Sequence, residues 1–254
     1  MWRATLKSLF ARKVRLGLTA LSIVLGIGFV AGSYVLTDTM GAAFDQLFKT
    51  AATGTDVVVR QSIAFDSGPG RGGGQAQREP VPATLAASVS AVPGVGSVTG
   101  TVSGYAQMID PVTGKAIGGV GPPTLGVNWS DINPSVVLRS GRAPSGPEEV
   151  VVDAGTATKH NLSLGQSITI VLQGPPRRFT IVGVAGFGSA DNLAGATVAF
   201  FDTSTAQDVL NKKGVFDELD VKATSGVTAS DLRARIQQVL PKGTEALTIA
   251  SVAD

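Results

Sequence analysis

Residues 163–185 read SLGQSITIVLQGPPRRFTIVGVA. Ser163-Leu164-Gly165-Gln166 is a turn signal, after which Ile168, Ile170 and Leu172 alternate onto one face, as in a half-buried strand. Gly174-Pro175-Pro176 reverses the chain, and Arg177 to Ala185 returns with Phe179, Ile181 and Val182. The stretch predicts a β-hairpin, and with it a β-rich lobe.

Upstream, Glu148 to Asp153 (EEVVVD) reads as a strand and Ala154 to Asn161 as one or two helical turns. Pro134 to Pro147, rich in Pro, Gly and Ser, is a change point. Before it come a strand at Asp56–Gln61, a short helix at Pro82–Val92 with Pro82 near its first turn, and a long bent strand at Val95–Ile109. A turn at Asp110–Gly114 and a strand at Thr124–Asn128 follow. Downstream of the hairpin, Thr197–Phe201 and Leu219–Lys222 read as strands. Thr203–Asn211 reads as a helix started by Asp202. A last helix, Thr228–Leu240, points Leu232, Ile236, Val239 and Leu240 inward and stops at Pro241. The fold class is α+β. Residues 55–133 and 197–254 are expected to form an α+β lobe, with 134–196 inserted as the β-rich lobe.

The N-terminal part has a different character. From Leu16 to Leu36 no residue is charged (LGLTALSIVLGIGFVAGSYVL). As a helix this run is about 31 Å long, against a hydrocarbon core of roughly 30 Å. It is apolar all round, so it reads as a transmembrane helix over 16–36. Gly28 and Gly32 form a G-x-x-x-G pair where another membrane helix can approach closely. Arg3, Lys7, Arg12, Lys13 and Arg15 precede the span, which places residues 1–15 in the cytoplasm as a basic amphipathic segment on membrane lipid, and Thr37 onward outside. Met40, Phe44, Leu47 and Phe48 keep helical spacing beyond the membrane, so 37–54 reads as a stalk helix that packs on the outer domain. A cleaved signal peptide is the competing reading, but its apolar core is usually 7–15 residues.

Little in the chain points to chemistry. There is no cysteine, which excludes thiolate metal sites, thiol nucleophiles and redox work. Five of the 21 basic residues lie in the first fifteen positions, leaving 16 against 19 acidic residues and a net charge of −3 in the remainder. No basic face with base-reading groups stands out, so no nucleic-acid partner is expected. Gly68, Gly70 and Gly73 spell G-x-G-x-x-G inside DSGPGRGGGQAQREP, but no strand–turn–helix unit surrounds them. His160, the single histidine, reads as a helix-end surface residue. Glu148-Glu149 and Asp217-Glu218-Asp220 lack calcium-loop spacing and read as solvated edges. Trp129 reads as a packed aromatic, and Asn128-Trp129-Ser130 and Asn161-Leu162-Ser163 are formal glycosylation sequons. No catalytic residue, cofactor or metal ligand is assigned.

The opening WRATLKSLFARKVRLGLTALSIVLGIGFVAG resembles the first membrane helix of MacB/FtsX-type ABC transporter permeases. LRSGRAPSGPEEVVVDAGTATKHNLSLGQSITI resembles their extracytoplasmic core, through L-x-x-G-R, the E-E-V-V-V strand and L-x-L-G-Q-x-I-x-I. RRFTIVGVAGF resembles the strand that follows. The resemblance implies a non-enzymatic permease subunit of the plasma membrane, paired as a dimer and driven by a separate cytoplasmic ABC ATPase. Such permeases have four membrane helices with this domain between the first and second. No second apolar span precedes Asp254, which implies an N-terminal fragment of such a subunit. Two other readings make different predictions. A single-span extracellular binding or sensor protein predicts a reading frame that ends near Asp254. A secreted enzyme predicts cleavage near Ala31–Ala43 and a cleft around His160.

Overall fold

The computed structural model describes residues 18–19, 21–32, 54–62, 78–118, 122–130, 134–193 and 195–252. The chain divides into two compact units, Met1–Gln46 and Leu47–Asp254. In the first, residues 21–32 are helical. Leu21, Ile23, Val24, Leu25, Ile27, Phe29 and Val30 are each more than half exposed, so among the described residues this helix has no buried apolar face. Among the described residues no helix is long and apolar enough to cross a membrane.

The second unit contains two main sheets. The smaller has four antiparallel strands: β1 (Val57–Gln61), β3 (Val95–Thr101), β13 (Glu218–Ala223) and β14 (Thr244–Thr248), in the order β14-β1-β13-β3. Two helices, α1 (Leu85–Ser90) and α4 (Ala229–Val239), contribute Leu85, Val89, Leu232 and Ile236 to a core shared with Val57, Val59, Leu219 and Val221. The alternation of β1 and β13 explains this: odd-numbered residues enter the core while Arg60, Glu218 and Asp220 take the other face. Connected as β1-α1-β3, then β13-α4-β14, this is a split βαβ, ferredoxin-like arrangement. The helix α4 forms where expected, with Thr228 as its cap through the Asp231 N–H, whereas Val239 is exposed rather than buried.

Between β3 and β13 the chain builds the larger sheet from β4 (Ser103–Tyr105), β5 (Gln107–Ile109), β6 (Thr124–Asn128), β7 (Val136–Gly141), β8 (Glu149–Asp153), β9 (Ser167–Val171), β10 (Arg177–Phe187) and β11 (Thr197–Phe201). Its order is β4-β6-β11-β8-β10-β9-β5, with β7 alongside β10. The two ends of that order are consecutive in the chain, joined by Ala106 alone, so the sheet closes on itself as a barrel. Met108, Ile168, Ile170, Phe179, Ile181 and Phe201 belong to its core.

The barrel is internally repeated. Outward from the antiparallel β8–β11 pair, each side shows first a parallel pair and then an antiparallel one: β10 and β9 on one side, β6 and β4 on the other. β8 runs through Asp153 into α2 (Ala154–Lys159), and β11 runs through Asp202 into α3 (Thr203–Val209). Both aspartates are N-caps. Both helices end at an asparagine with positive φ, Asn161 (52°) and Asn211 (57°). At both ends the next N–H reaches back five residues, Leu162 to Ala157 (2.9 Å) and Lys212 to Gln207 (2.8 Å), closing matching Schellman turns.

The hairpin, the bent strand and the strands at 124–128, 148–153 and 197–201 form as expected, although the bent strand is divided by Val102 and Ala106. Other expectations need correction. Thr124–Asn128 and Thr197–Phe201 join the barrel, so the inserted lobe runs from about residue 102 to 212 rather than over 134–196. Pro134–Pro147 contains β7, an edge strand whose exposure hides its periodicity. Pro82 belongs not to a helix but to the two-residue strand β2 (Val81–Pro82), which pairs with β12 (Val215–Phe216). The end of the chain holds β14 and the short α5 (Ile249–Val252), which expectation left unassigned.

Candidate functional site: the junction between the two lobes

The chain crosses between the lobes twice, outward at Thr101–Ser103 and back over Lys212–Asp217. Asn128, the last residue of β6, is buried beside the outward crossing. Its Oδ1 accepts the Val102 N–H at 2.7 Å, and its backbone N–H donates to the Val102 carbonyl at 3.0 Å. Its Nδ2 donates to the Gly100 carbonyl at 2.9 Å and to Thr203 Oγ1 at 3.2 Å. One side chain therefore supplies the bonds that a neighbouring strand would have given where the chain bends.

The return crossing is tied to the same point. Asp217 Oδ2 accepts the Ser103 N–H at 2.7 Å and its hydroxyl at 3.2 Å, and the Asp217 N–H donates to the Thr101 carbonyl at 2.8 Å. Lys212 donates to the Ser103 carbonyl at 2.7 Å and pairs with the Asp217 carboxylate. Phe216 packs against both hydrophobic cores. A Cβ on Gly100 would collide with that ring, so glycine is required for the approach.

Next to the junction, β13 carries the acidic run expected to be a solvated edge, and the structure corrects this. Asp220 accepts Thr101 Oγ1 at 2.7 Å and Thr55 Oγ1 at 3.4 Å, and burial nevertheless raises its pKa. Burial, with Asp220 adding its charge and Arg60 partly offsetting, pushes Glu218 up to about 7. Arg60 pairs with Glu245 at 3.1 Å. Glu149, from the other expected edge, takes Arg142, the Ser145 N–H (2.9 Å) and the Ser145 hydroxyl (3.2 Å), and Arg142 leads in holding it at about 2.

His160 does stand at the end of a helix, α2, with Nδ1 3.1 Å from Asp110 Oδ2. Asp110 also accepts the Val112 and Thr113 N–H groups, both at 2.9 Å. These partners, Thr113 first, hold its carboxyl at about 2. Trp129 packs edge-on against Phe200 with centroids 5.7 Å apart. Burial and a full set of partners make Asn128 inaccessible as a sequon. Among the described residues no group of three or more His, Asp or Glu could hold a metal ion. Gly28 and Gly32 lie in the helical stretch 21–32, with open space where a Cβ would point. Met40, Phe44, Leu47 and Phe48 lie outside the described residues.

The profile of the MacB-like periplasmic core domain matches residues 16–239. The chain belongs to that family. Solved structures agree on the fold of this MacB-like domain. The periplasmic region of MacB from Actinobacillus actinomycetemcomitans is 16% identical, with a TM-score of 0.54 over 81% of this chain and 93% of that one. The extracellular domain of the ABC-type transporter YknZ from Gram-positive bacteria is 11% identical, with a TM-score of 0.53 over 75% of this chain and 98% of that one. An ABC transporter permease protein of Mycobacterium tuberculosis is 31% identical over 118 residues. Those residues are 45% of this chain but 13% of that relative's length, so the MacB-like chain spans a small part of it.

Proposed function

We propose that this MacB-like domain is the extracytoplasmic part of an ABC transporter permease subunit. Residues 16–36 would anchor it in the plasma membrane, with the N-terminus in the cytoplasm. The domain would touch substrate or a partner outside and move when a separate cytoplasmic ATPase hydrolyses ATP. It would work as a dimer or a permease pair, with Gly28 and Gly32 on a helix-packing face and Met40, Phe44, Leu47 and Phe48 on the stalk. The observation that carries the reading is the family match, which starts at residue 16, the first of the apolar run, and extends to residue 239 in the folded domain. The exposure of every large apolar side chain on helix 21–32 supports it, since such a surface is stable only when lipid or protein covers it.

Two measurements test it. The chain has no cysteine, so single cysteines at Ser8 and at Gln173, which is exposed on the barrel, report topology cleanly. A membrane-impermeant maleimide should label Gln173→Cys in intact cells and Ser8→Cys only after permeabilisation. A cytoplasmic ABC ATPase should co-purify with the full-length protein when the two are expressed together. Equal labelling of both cysteines, or no associated ATPase, would remove the reading.

A further inference from the structure

The outward crossing is bonded at each residue from Gly100 to Ser103. Asn128 takes the Gly100 carbonyl and both backbone groups of Val102, Asp217 takes the Thr101 carbonyl and the Ser103 N–H, and Lys212 takes the Ser103 carbonyl. A hinge needs the opposite: a few residues whose φ and ψ can change without breaking bonds. Phe216, shared between the two cores, removes the remaining freedom to slide. The β2–β12 pair and the Ala83 N–H to Gly214 carbonyl bond (2.9 Å) tie the returning segment to the smaller lobe as well.

We infer that Asn128, Lys212 and Asp217 weld the four-stranded sheet and the barrel into one rigid body, so that a displacement applied at the sheet reaches the far end of the barrel undiminished. The weld is a property of the domain whatever it transports; its use as a lever rests on the proposed function. Asn128 is a positioning residue in this scheme, since it acts through the backbone it holds and touches no ligand. The two lobes therefore do not close on each other as a clamp would, and any cargo or partner meets one surface of fixed shape.

The test uses the full chain in detergent, with spin labels on cysteines at Ser88 in α1 and Gln173 at the hairpin tip, both exposed. Double electron–electron resonance should give one narrow inter-lobe distance. Adding Asn128→Ala with Asp217→Ala should broaden it roughly twofold, because opened backbone bonds admit alternative bends. If that pair fails to fold, Lys212→Met, at a partly exposed position, keeps the test open and should give a smaller broadening in the same direction. A broad or two-peaked distribution in the unsubstituted domain would overturn the proposal, as would folded variants as narrow as their parent. Neither readout involves the ATPase, so failure of the permease reading leaves this result standing, and the reverse also holds.

Discussion

The carboxylate of Asp153 accepts the backbone N–H of Val198 at 2.9 Å, reaching from the end of β8 to the neighbouring strand β11. Its other oxygen caps α2 through the Thr156 N–H at 2.8 Å. Asp202 holds the equivalent place at the end of β11 but bonds locally, to the N–H groups of Ser204 (3.0 Å) and Thr205 (3.1 Å). The two caps of the repeat are therefore unequal. Asp153→Ala should cost about 2–4 kcal/mol, because two buried donors lose their acceptor. Asp202→Ala should cost about 1 kcal/mol, as an ordinary N-cap does. Urea unfolding of both variants checks the ranking, and equal losses would remove the cross-strand role given to Asp153.

Asn128→Ala leaves the Val102 N–H without its acceptor in a buried position, and should destabilise the domain by about 2–4 kcal/mol. Asn128→Asp keeps the acceptor but turns a buried carboxylate oxygen toward the Gly100 carbonyl, so at neutral pH it should cost at least as much as alanine. A shift in the urea midpoint, read by far-ultraviolet circular dichroism, measures both.

The L-x-x-G-R signature is architectural, and its glycine matters more than its arginine. Gly141 has φ +77° and presses against the Val182 carbonyl and the Gly183 backbone, leaving no room for a Cβ. Gly141→Ala should cost about 2 kcal/mol or more and disturb the β7–β10 register. Arg142 pairs with Glu149 in solvent, so Arg142→Ala should move the melting temperature much less. A larger effect for the arginine would contradict this ranking.

The pH dependence has two limbs. Asp110 and Glu149, held at about 2, contribute stability that is present above about pH 4 and lost as pH falls through 2. Glu218, raised from 4.5 to about 7, contributes in the other direction. Its contribution is full below its unfolded pKa and is lost as pH rises through about 7. Stability should therefore peak in mildly acidic solution. Glu218→Gln should match the native chain at pH 5 and exceed it by about 1–3 kcal/mol at pH 8, after allowance for partial exposure. Urea midpoints at the two pH values decide it; an unchanged gap between them would show that Glu218 does not carry the alkaline limb.

Local chemistry was legible in the sequence, and long-range pairing was not. The hairpin from Ser163 to Ala185 follows from alternation and a Gly-Pro-Pro turn, and the start of α3 follows from Asp202. β7 leaves no alternating pattern because five of its six residues are exposed, and it sits among Pro, Gly and Ser. β14, read TEALT, lacks the β-branched run that marks β1 and β8. Which sheet a strand joins is decided by partners far away: Thr197–Phe201 lies between β6 and β8, and nothing within the segment says so. Asn128 left one faint signal, a polar side chain closing the alternating strand TLGVN just before Trp129. The acidic run at Asp217–Asp220 looked solvated because its cover comes from Thr55, Arg60 and Thr101, which are remote in sequence.

The place where the barrel joins the smaller sheet also makes it portable. Thr101 and Glu218 face each other across β3 and β13 as the last and first residues of an antiparallel pair. A short turn in place of residues 102–217 would leave a continuous hairpin and a complete four-stranded scaffold. The excised segment begins and ends at one spot, where the Lys212 ammonium meets the Ser103 carbonyl. A cassette of this kind can be lengthened, exchanged or deleted without rethreading its host. Descendants of one scaffold can in this way acquire different inserted lobes while the four-stranded sheet stays the same.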